Sequence, residues 1–296
     1  MIEIKLEQAS YGLLSSASKV YHYSADKDNW IVGLDHEVVD SGVLTQNLLI
    51  TGGGNPGDGI VEIDDTTGTL RQLSYSPFLL QAKAKGSVMG TTVEELESKA
   101  KDILDISTQK MIEREFWTGK LSKQSNTVFK GTTSHSSEFS VSRYLADENA
   151  IDITPTAGTG VKPRLGQALL EGALGAQTIG YKGTIHSPRD VASVLKIKDD
   201  KDGVLRTNLD TPFVAGSGYT KHGPDGTEAP AGKYWMYATG PTAVVLGDIT
   251  YSHDNSVQAY NARKNDIEII AERPAAVVWT TKDVFAVLVD LNLDYS

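Results

Sequence analysis

The sequence contains no cysteine, no long apolar run and no excess of basic residues. Without cysteine there can be neither disulfides nor thiolate metal sites. No run approaches the length of a membrane-spanning helix, and the N-terminus, MIEIKLEQAS, lacks the apolar core of a signal peptide, so we expect a protein made in a cytoplasm. With 28 Lys and Arg against 38 Asp and Glu, the net charge of −10 argues against binding nucleic acid through a general basic surface.

Motifs for catalysis or ligand binding are also missing. Gly52, Gly54 and Gly57 match the spacing of a dinucleotide-binding loop, but Pro56 interrupts the match and no helix follows. The histidines have no metal-ligand spacing; they are His22, His36, His135, His186, His222 and His253. We therefore predict no catalytic site, no cofactor site and no metal site, which favours a structural protein over an enzyme.

One long helix is predicted over residues 91–119. Thr91 and Thr92 each precede a glutamate by three positions, as in a capping box, and Gly119 suits a helix end. The apolar stripe predicted along one side comprises Val93, Leu96, Ala100, Ile103, Leu104 and Met111. At about 1.5 Å per residue this is an unusually long helix for a globular protein, and it carries no evident catalytic group.

Two earlier segments cannot form a core by themselves. Residues 1–45 are predicted to be an N-terminal arm with scattered aromatics, including Tyr11, Tyr21 and Trp30. Residues 46–75 are predicted to be an extended loop that ends in a hairpin. One strand of the hairpin contains Ile60 and Ile63, the turn is at 65–68, and the other strand contains Arg71. Because so few apolar residues cannot stabilise a hairpin in water, both segments need a partner.

The remainder predicts an α+β fold, since strands and helices alternate without a strict βαβ rhythm. A second helix should begin at Pro163 and end at Gly175. The predicted strands are 212–217, 234–238, 242–248, 266–270 and 284–289. The last strands should form a sheet on which the apolar stripe of the long helix lies.

Charged and aromatic residues cluster near the end of the long helix and in the C-terminal strands. The apolar surface widens at Phe116 and Trp117, so this end of the helix should be buried on more than one side. The charged residues could form a buried ionic cluster or ion pairs at the surface or between subunits. We predict subunit contacts for Glu113, Arg114, Glu115, Phe116, Trp117, Glu272 and Arg273, together with the residues of the arm and loop named above.

The order of these elements, and a few short phrases, resemble the major capsid proteins of tailed bacteriophages, which have the Hong Kong 97-like fold. The phrases are Phe116–Gly119, Thr184–Pro188, and Ile267–Trp279 followed by Val284–Asp290. The resemblance implies an arm (1–45), an extended loop (46–75), a peripheral domain with a spine helix (76–155), an axial domain (156–250), and C-terminal strands that return to the peripheral domain (251–296).

The resemblance further implies a shell subunit that forms pentamers and hexamers of an icosahedral head. That head would enclose double-stranded DNA without sequence-specific binding, be assembled in a bacterial cytoplasm and carry a portal. Scaffolding would be supplied by a separate protein or be unnecessary, and any decoration protein would be a separate chain. Deletion of residues 1–30 should abolish shells and leave the subunit folded. The alternatives are an encapsulin-type compartment, a tail-tube or decoration protein, and an enzyme.

Overall fold

The computed structural model describes twelve stretches of the chain. They are residues 10–14, 18–24, 34–39, 70–75, 77–87, 90–121, 144–177, 182–199, 203–252, 260–261, 266–281 and 283–294. The strands are β1 Lys19–His22, β2 Leu34–Val39, β3 Leu70–Tyr75, β4 Phe78–Ser87, β5 Ile151–Asp152, β6 Thr184–Pro188, β7 Lys198–Asp199, β8 Leu205–Arg206, β9 Pro212–Gly216, β10 Lys233–Thr239, β11 Thr242–Leu246, β12 Thr250–Ser252, β13 Tyr260–Asn261, β14 Asp266–Trp279 and β15 Phe285–Asp290. The α-helices are α1 Val93–Thr118, α2 Pro163–Ala176 and α3 Arg189–Ala192, and a 3₁₀ turn follows at Leu291–Asp294.

The long helix α1 confirms the predicted element and both of its ends. Thr92, rather than Thr91, is the N-cap: its hydroxyl accepts from the Glu95 amide at 3.2 Å, while the Glu95 carboxylate accepts from the Thr92 amide at 3.3 Å. Gly119 ends the helix in the left-handed conformation (φ 59°), and its amide bonds the Glu115 carbonyl.

The buried face of α1 winds around the helix instead of following a straight stripe. Its residues recur every fourth position, as Leu96, Ala100, Leu104, Thr108, Ile112 and Phe116. Because four residues turn the helix by about 400°, each step moves the buried face by about 40°. Ile103, which the straight stripe included, is therefore 47% exposed. The N-terminal half rests on one sheet, and the C-terminal end is enclosed on several sides.

A six-stranded sheet supports α1. The long strand β14 pairs with β4 along one edge and with β13, β12 and β11 in succession along the other. β1 adds to β11 in parallel. Alternate residues of β4, namely Phe78, Leu80, Ala82 and Ala84, are buried toward α1 together with Ile269 and Ala271 of β14. This packing confirms that a C-terminal strand carries the long helix.

A second, seven-stranded sheet has the order β5-β15-β10-β6-β9-β8-β7. It separates two hydrophobic cores: Tyr237 and Ala286 face the core at the end of α1, whereas Met236 and Val287 face the core built with α2. Helix α2 begins at Pro163, as predicted, and ends one residue beyond Gly175.

Two strands lie in different sheets from those implied by the resemblance. β15 joins the seven-stranded sheet through β10 instead of returning to the sheet under α1. Its apolar run, buried on both faces, fits a strand between two cores. Conversely, β11 falls within the range predicted for the axial domain but pairs with β14 in the six-stranded sheet.

The predicted arm and the predicted extended loop pair with each other within the chain, which the sequence analysis did not predict. β2, within the predicted arm, pairs antiparallel with β3 at the end of the predicted loop, so that Arg71 lies opposite Val38. The β2–β3 pair approaches β14. The other strand of the predicted hairpin, with Ile60 and Ile63, lies outside the described residues.

Candidate functional site and assembly surfaces

The C-terminal end of α1 is the point where both sheets and the N-terminal segment meet. The Trp117 ring lies 4.8 Å from the Tyr219 ring and 4.9 Å from the Tyr237 ring, measured between centroids. Trp117 Nε1 and Tyr237 Oη both donate to the carbonyl of His222, at 3.0 and 3.1 Å. The polar groups of Trp117 and Tyr237 thus have a common partner, and the cluster fixes α1 against β10 and the loop after β9.

His186 lies at the base of this aromatic cluster and is fully buried. Phe116 contacts its ring edge to face, with centroids 5.1 Å apart. Thr239 Oγ1 donates its proton to the Gly240 carbonyl at 2.9 Å, so it accepts from His186 Nε2–H at 3.0 Å. Nδ1 then accepts from the Tyr219 hydroxyl at 3.0 Å. Burial lowers the pKa of His186 to about 3, and the ring is neutral at physiological pH.

Glu113 is a buried carboxylate on the last turns of α1. Oε1 accepts from the amide of Leu13 at 2.9 Å. Oε2 accepts from the amide of Gly218 at 2.7 Å and from the hydroxyl of Ser217 at 3.2 Å. Burial raises the pKa of Glu113, and these hydrogen bonds partly offset that rise. The carboxylate therefore joins three segments that are far apart in the sequence.

The structure places most of the predicted contact residues at the helix end inside the subunit. Glu113, Phe116 and Trp117 are no more than 2% exposed, and Glu115 is 6% exposed. Glu115 Oε1 accepts from the amide of Leu121 at 2.9 Å. These four side chains stabilise the chain's own fold, which is a correction to the subunit contacts predicted for them, whereas Arg114 is exposed.

Glu272 and Arg273 also bind partners within the chain. Adjacent residues of a strand point to opposite faces, so they cannot form one cluster. Arg273 Nη1 lies 3.1 Å from Asp105 Oδ1 on α1, and Glu272 accepts from Gln81 Nε2 of β4 at 2.6 Å. Arg273 therefore joins the sheet to α1, whereas Glu272 binds within the sheet on the opposite face.

A solvent-facing surface of α1, which we call the outer helix face, was not singled out by the sequence analysis. Ile103 is 47% exposed and Ile106 is 38% exposed. Exposed cations flank them, with Lys99 before and Lys110 and Arg114 after. The spacing of these five residues, three or four apart, is a helical stripe that the sequence could have revealed.

The N-terminal segment divides into an anchored part and an exposed part. Tyr11 is partly buried, and its carbonyl accepts from the Ala215 amide at 2.9 Å. Tyr21 lies in β1, an edge strand of the six-stranded sheet, and is 52% exposed beside Val20 at 37%. Trp30, like Ile60 and Ile63, lies outside the described residues, and Arg71 is described by its strand position alone.

Neither a metal centre nor a membrane segment is found in the part of the chain that the structure describes. Among those residues no group of three or more His, Asp or Glu side chains could hold a metal ion. No described helix is long and apolar enough to cross a membrane.

Known proteins resemble this chain in structure, whereas no family model matches it and no curated protein is similar to it in sequence. A capsid structure of an empty GTA particle is 10% identical and has a TM-score of 0.52, covering 98% of this chain and 100% of that chain. A structure from Microbacterium phage Oxtober96 is 10% identical with a TM-score of 0.51, covering 98% of this chain and 94% of that one. A structure from Mycobacterium phage Cain is 10% identical with a TM-score of 0.50, covering 96% and 91%.

These alignments extend over nearly the whole of each chain and include both sheets and the long helix between them. At such low identity the similarity is one of fold. The α+β architecture agrees with the resemblance seen in the sequence: this chain has the Hong Kong 97-like capsid fold.

Proposed function

We propose that this protein is the major capsid protein of a tailed bacteriophage, a shell subunit that assembles with copies of itself. The observation that carries the proposal is a capsid-type fold shared along 98% of the chain with the GTA capsid structure. A shell subunit needs surfaces that stay exposed in the monomer and become buried on assembly. The outer helix face and the edge strand β1 are exposed in the single chain, and we propose that assembly buries them.

The extended loop of a neighbouring subunit is the proposed partner of the outer helix face. Residues 60–65 read IVEIDD and combine three apolar residues with the acidic residues Glu62, Asp64 and Asp65. The helix face offers exposed isoleucines flanked by cations, so that both its apolar and its charged groups complement this segment. Each contact can be weak, because every subunit makes several and closed symmetry adds them together.

The proposed assembly consists of pentamers and hexamers in an icosahedral head that encloses double-stranded DNA. A net charge of −10 suits a shell that encloses DNA without binding it tightly. The head would form in the bacterial cytoplasm and carry a portal. In this function the chain acts by self-association and performs no catalysis.

Charge reversal tests the proposed contact. Lys110→Glu with Arg114→Glu should prevent assembly, because like charges would then face each other at the helix–loop contact. Adding Glu62→Lys and Asp64→Lys should restore it. Sedimentation of the purified protein measures the shell fraction. Lys101→Glu, a charge reversal at another exposed position of α1 that lies off the outer helix face, is the control.

Two results would reject this contact. One is normal assembly of the Lys110/Arg114 variant; the other is a failure of the loop reversals to restore assembly while the reversed variant remains folded by circular dichroism. Failure of the Lys101 control to assemble would show that charge reversal anywhere on α1 is harmful, and it too would count against a specific contact.

A further inference from the structure

Glu113 connects two segments that are separated by more than 200 residues. Its two carboxylate oxygens are divided between them: one binds the amide of Leu13, and the other binds the amide of Gly218 and the hydroxyl of Ser217. All three partners donate, which matches a carboxylate with no proton of its own. Since Glu113 lies on α1, three elements meet at one side chain.

Glycine is needed on both sides of this carboxylate because the backbones approach α1 very closely. A Cβ on Gly12 would lie 2.0 Å from Gln109 Nε2 and 2.3 Å from Glu113 Oε1. A Cβ on Gly218 would lie 2.2 Å from the Lys110 carbonyl oxygen. At Gly218 the obstacle is the backbone of α1, so a side chain there would force the loop away from the helix. At Gly12 the obstacles are the ends of the Gln109 and Glu113 side chains, so a side chain there would displace either the segment or the Glu113 carboxylate.

Further hydrogen bonds extend the contact on the N-terminal side. The Tyr11 carbonyl accepts from the Ala215 amide at the end of β9, at 2.9 Å. The Ser10 carbonyl accepts from Arg189 Nη1 of α3, also at 2.9 Å. Residues 10–14 thus contact the seven-stranded sheet directly as well as through Glu113.

We infer that Glu113 is a positioning residue that couples the N-terminal segment 10–14 to the loop 217–218 at the end of β9, so that displacing either segment loosens the other. The coupling is a property of the single subunit. Its consequence for assembly rests on the proposed function: a neighbouring copy that displaced the arm would loosen the loop after β9, because both are bound to Glu113 of α1.

Amide hydrogen exchange on the full-length, unassembled chain tests this coupling in both directions. Gly12→Ala disturbs the N-terminal side, and we expect the Gly218 amide to exchange about 10- to 100-fold faster, the factor expected for weakening a hydrogen bond to a charged group. Gly218→Ala should accelerate the Leu13 amide by a similar factor. Glu113→Gln replaces one of the two acceptor oxygens by an NH₂, which cannot accept. It should accelerate the amide on that side directly and the amide on the other side through the coupling.

Matched variants separate coupling from a general loss of stability. Gly172→Ala places its Cβ where nothing lies within 4 Å, and it should change neither amide. Glu115→Gln alters the neighbouring buried carboxylate; it should accelerate the Leu121 amide and leave the amides of Leu13 and Gly218 unchanged. The amides of β10, read in the same samples, report global unfolding.

The inference is overturned if each glycine variant accelerates exchange only on its own side, or if Glu113→Gln leaves either amide unchanged. If Gly218→Ala does not fold, Gly12→Ala and Glu113→Gln still decide the question. Because the subunit is unassembled in this experiment, its outcome is independent of whether shells form.

Discussion

Leu13→Ala tests whether the N-terminal segment belongs to the core of the subunit. Leu13 is 0% exposed and packs in the same hydrophobic core as the long helix. Removing three carbons from a fully buried leucine loses their transfer free energy and leaves a cavity. We therefore expect the free energy of unfolding to fall by about 2–5 kcal/mol, a large part of the 5–15 kcal/mol typical of a folded domain.

Leu209→Ala is the matched control, because the same chemical change is made on a side chain that is 72% exposed. It should alter the free energy of unfolding by less than about 0.5 kcal/mol. Equilibrium denaturation of the unassembled chain, followed by tryptophan fluorescence, measures both variants. Equal effects of the two substitutions would refute the burial of residues 10–14.

This prediction revises the expectation that residues 1–30 can be deleted without unfolding the subunit. That deletion removes Leu13 from the core and takes one hydrogen-bond donor from the buried Glu113. A buried charged group that loses a partner costs about 1–3 kcal/mol or more. A shorter deletion of residues 1–9 spares both contacts and is the better test of the arm's role in assembly.

Three further predictions concern helix ends and pH. Thr92→Ala should lower the free energy of unfolding by about 0.5–2 kcal/mol through loss of the capping box, whereas Thr91→Ala should have a much smaller effect in the same denaturation assay. Gly119→Ala should lower the free energy of unfolding by at least about 1–2 kcal/mol, because φ is 59° and a Cβ would lie 2.2 Å from a ring carbon of Tyr144. Its control, Gly175→Ala, places a Cβ with nothing within 4 Å and should be neutral or stabilising. Folding lowers the pKa of His186 from 6.5 to about 3, so the unfolded chain takes up this proton at a higher pH than the folded chain does. As the pH falls from about 6.5 toward 3, the free energy of unfolding should therefore drop by up to about 1.4 kcal/mol per pH unit. His186→Gln should flatten that part of the pH profile, and an unchanged profile would contradict the assignment.

Local signals were sufficient to predict α1 and α2. Capping residues, a terminal glycine and helical spacing act within a few residues of the element that they define. They placed both ends of α1 and the start of α2 at Pro163, whereas α2 runs one residue beyond Gly175. Which sheet β15 joins depends instead on where a hydrophobic core can cover each of its two faces. That choice is made by distant residues, so the sequence could not reveal it.

Near the end of α1, local signals likewise predicted the burial of the aromatic residues but not the distant partners of the charged ones. Phe116 and Trp117 were predicted to lie at an end buried on several sides, and they do. For Glu113 the sequence left open a buried ionic cluster or ion pairs at the surface or between subunits, and a subunit contact was predicted. Its partners are backbone amides at positions 13 and 218, which no local pattern indicates.

Electron microscopy of the purified protein, beside its sedimentation profile, tests the central claim most directly. We predict closed icosahedral shells built from pentamers and hexamers of this chain, formed alone or with a co-expressed scaffolding protein. DNA-free shells that enclose a protein cargo would indicate a compartment in place of a phage head. Tubes, rings or trimers, or a monomer that does not assemble even with its genomic neighbours co-expressed, would contradict the claim that this protein is a capsid subunit.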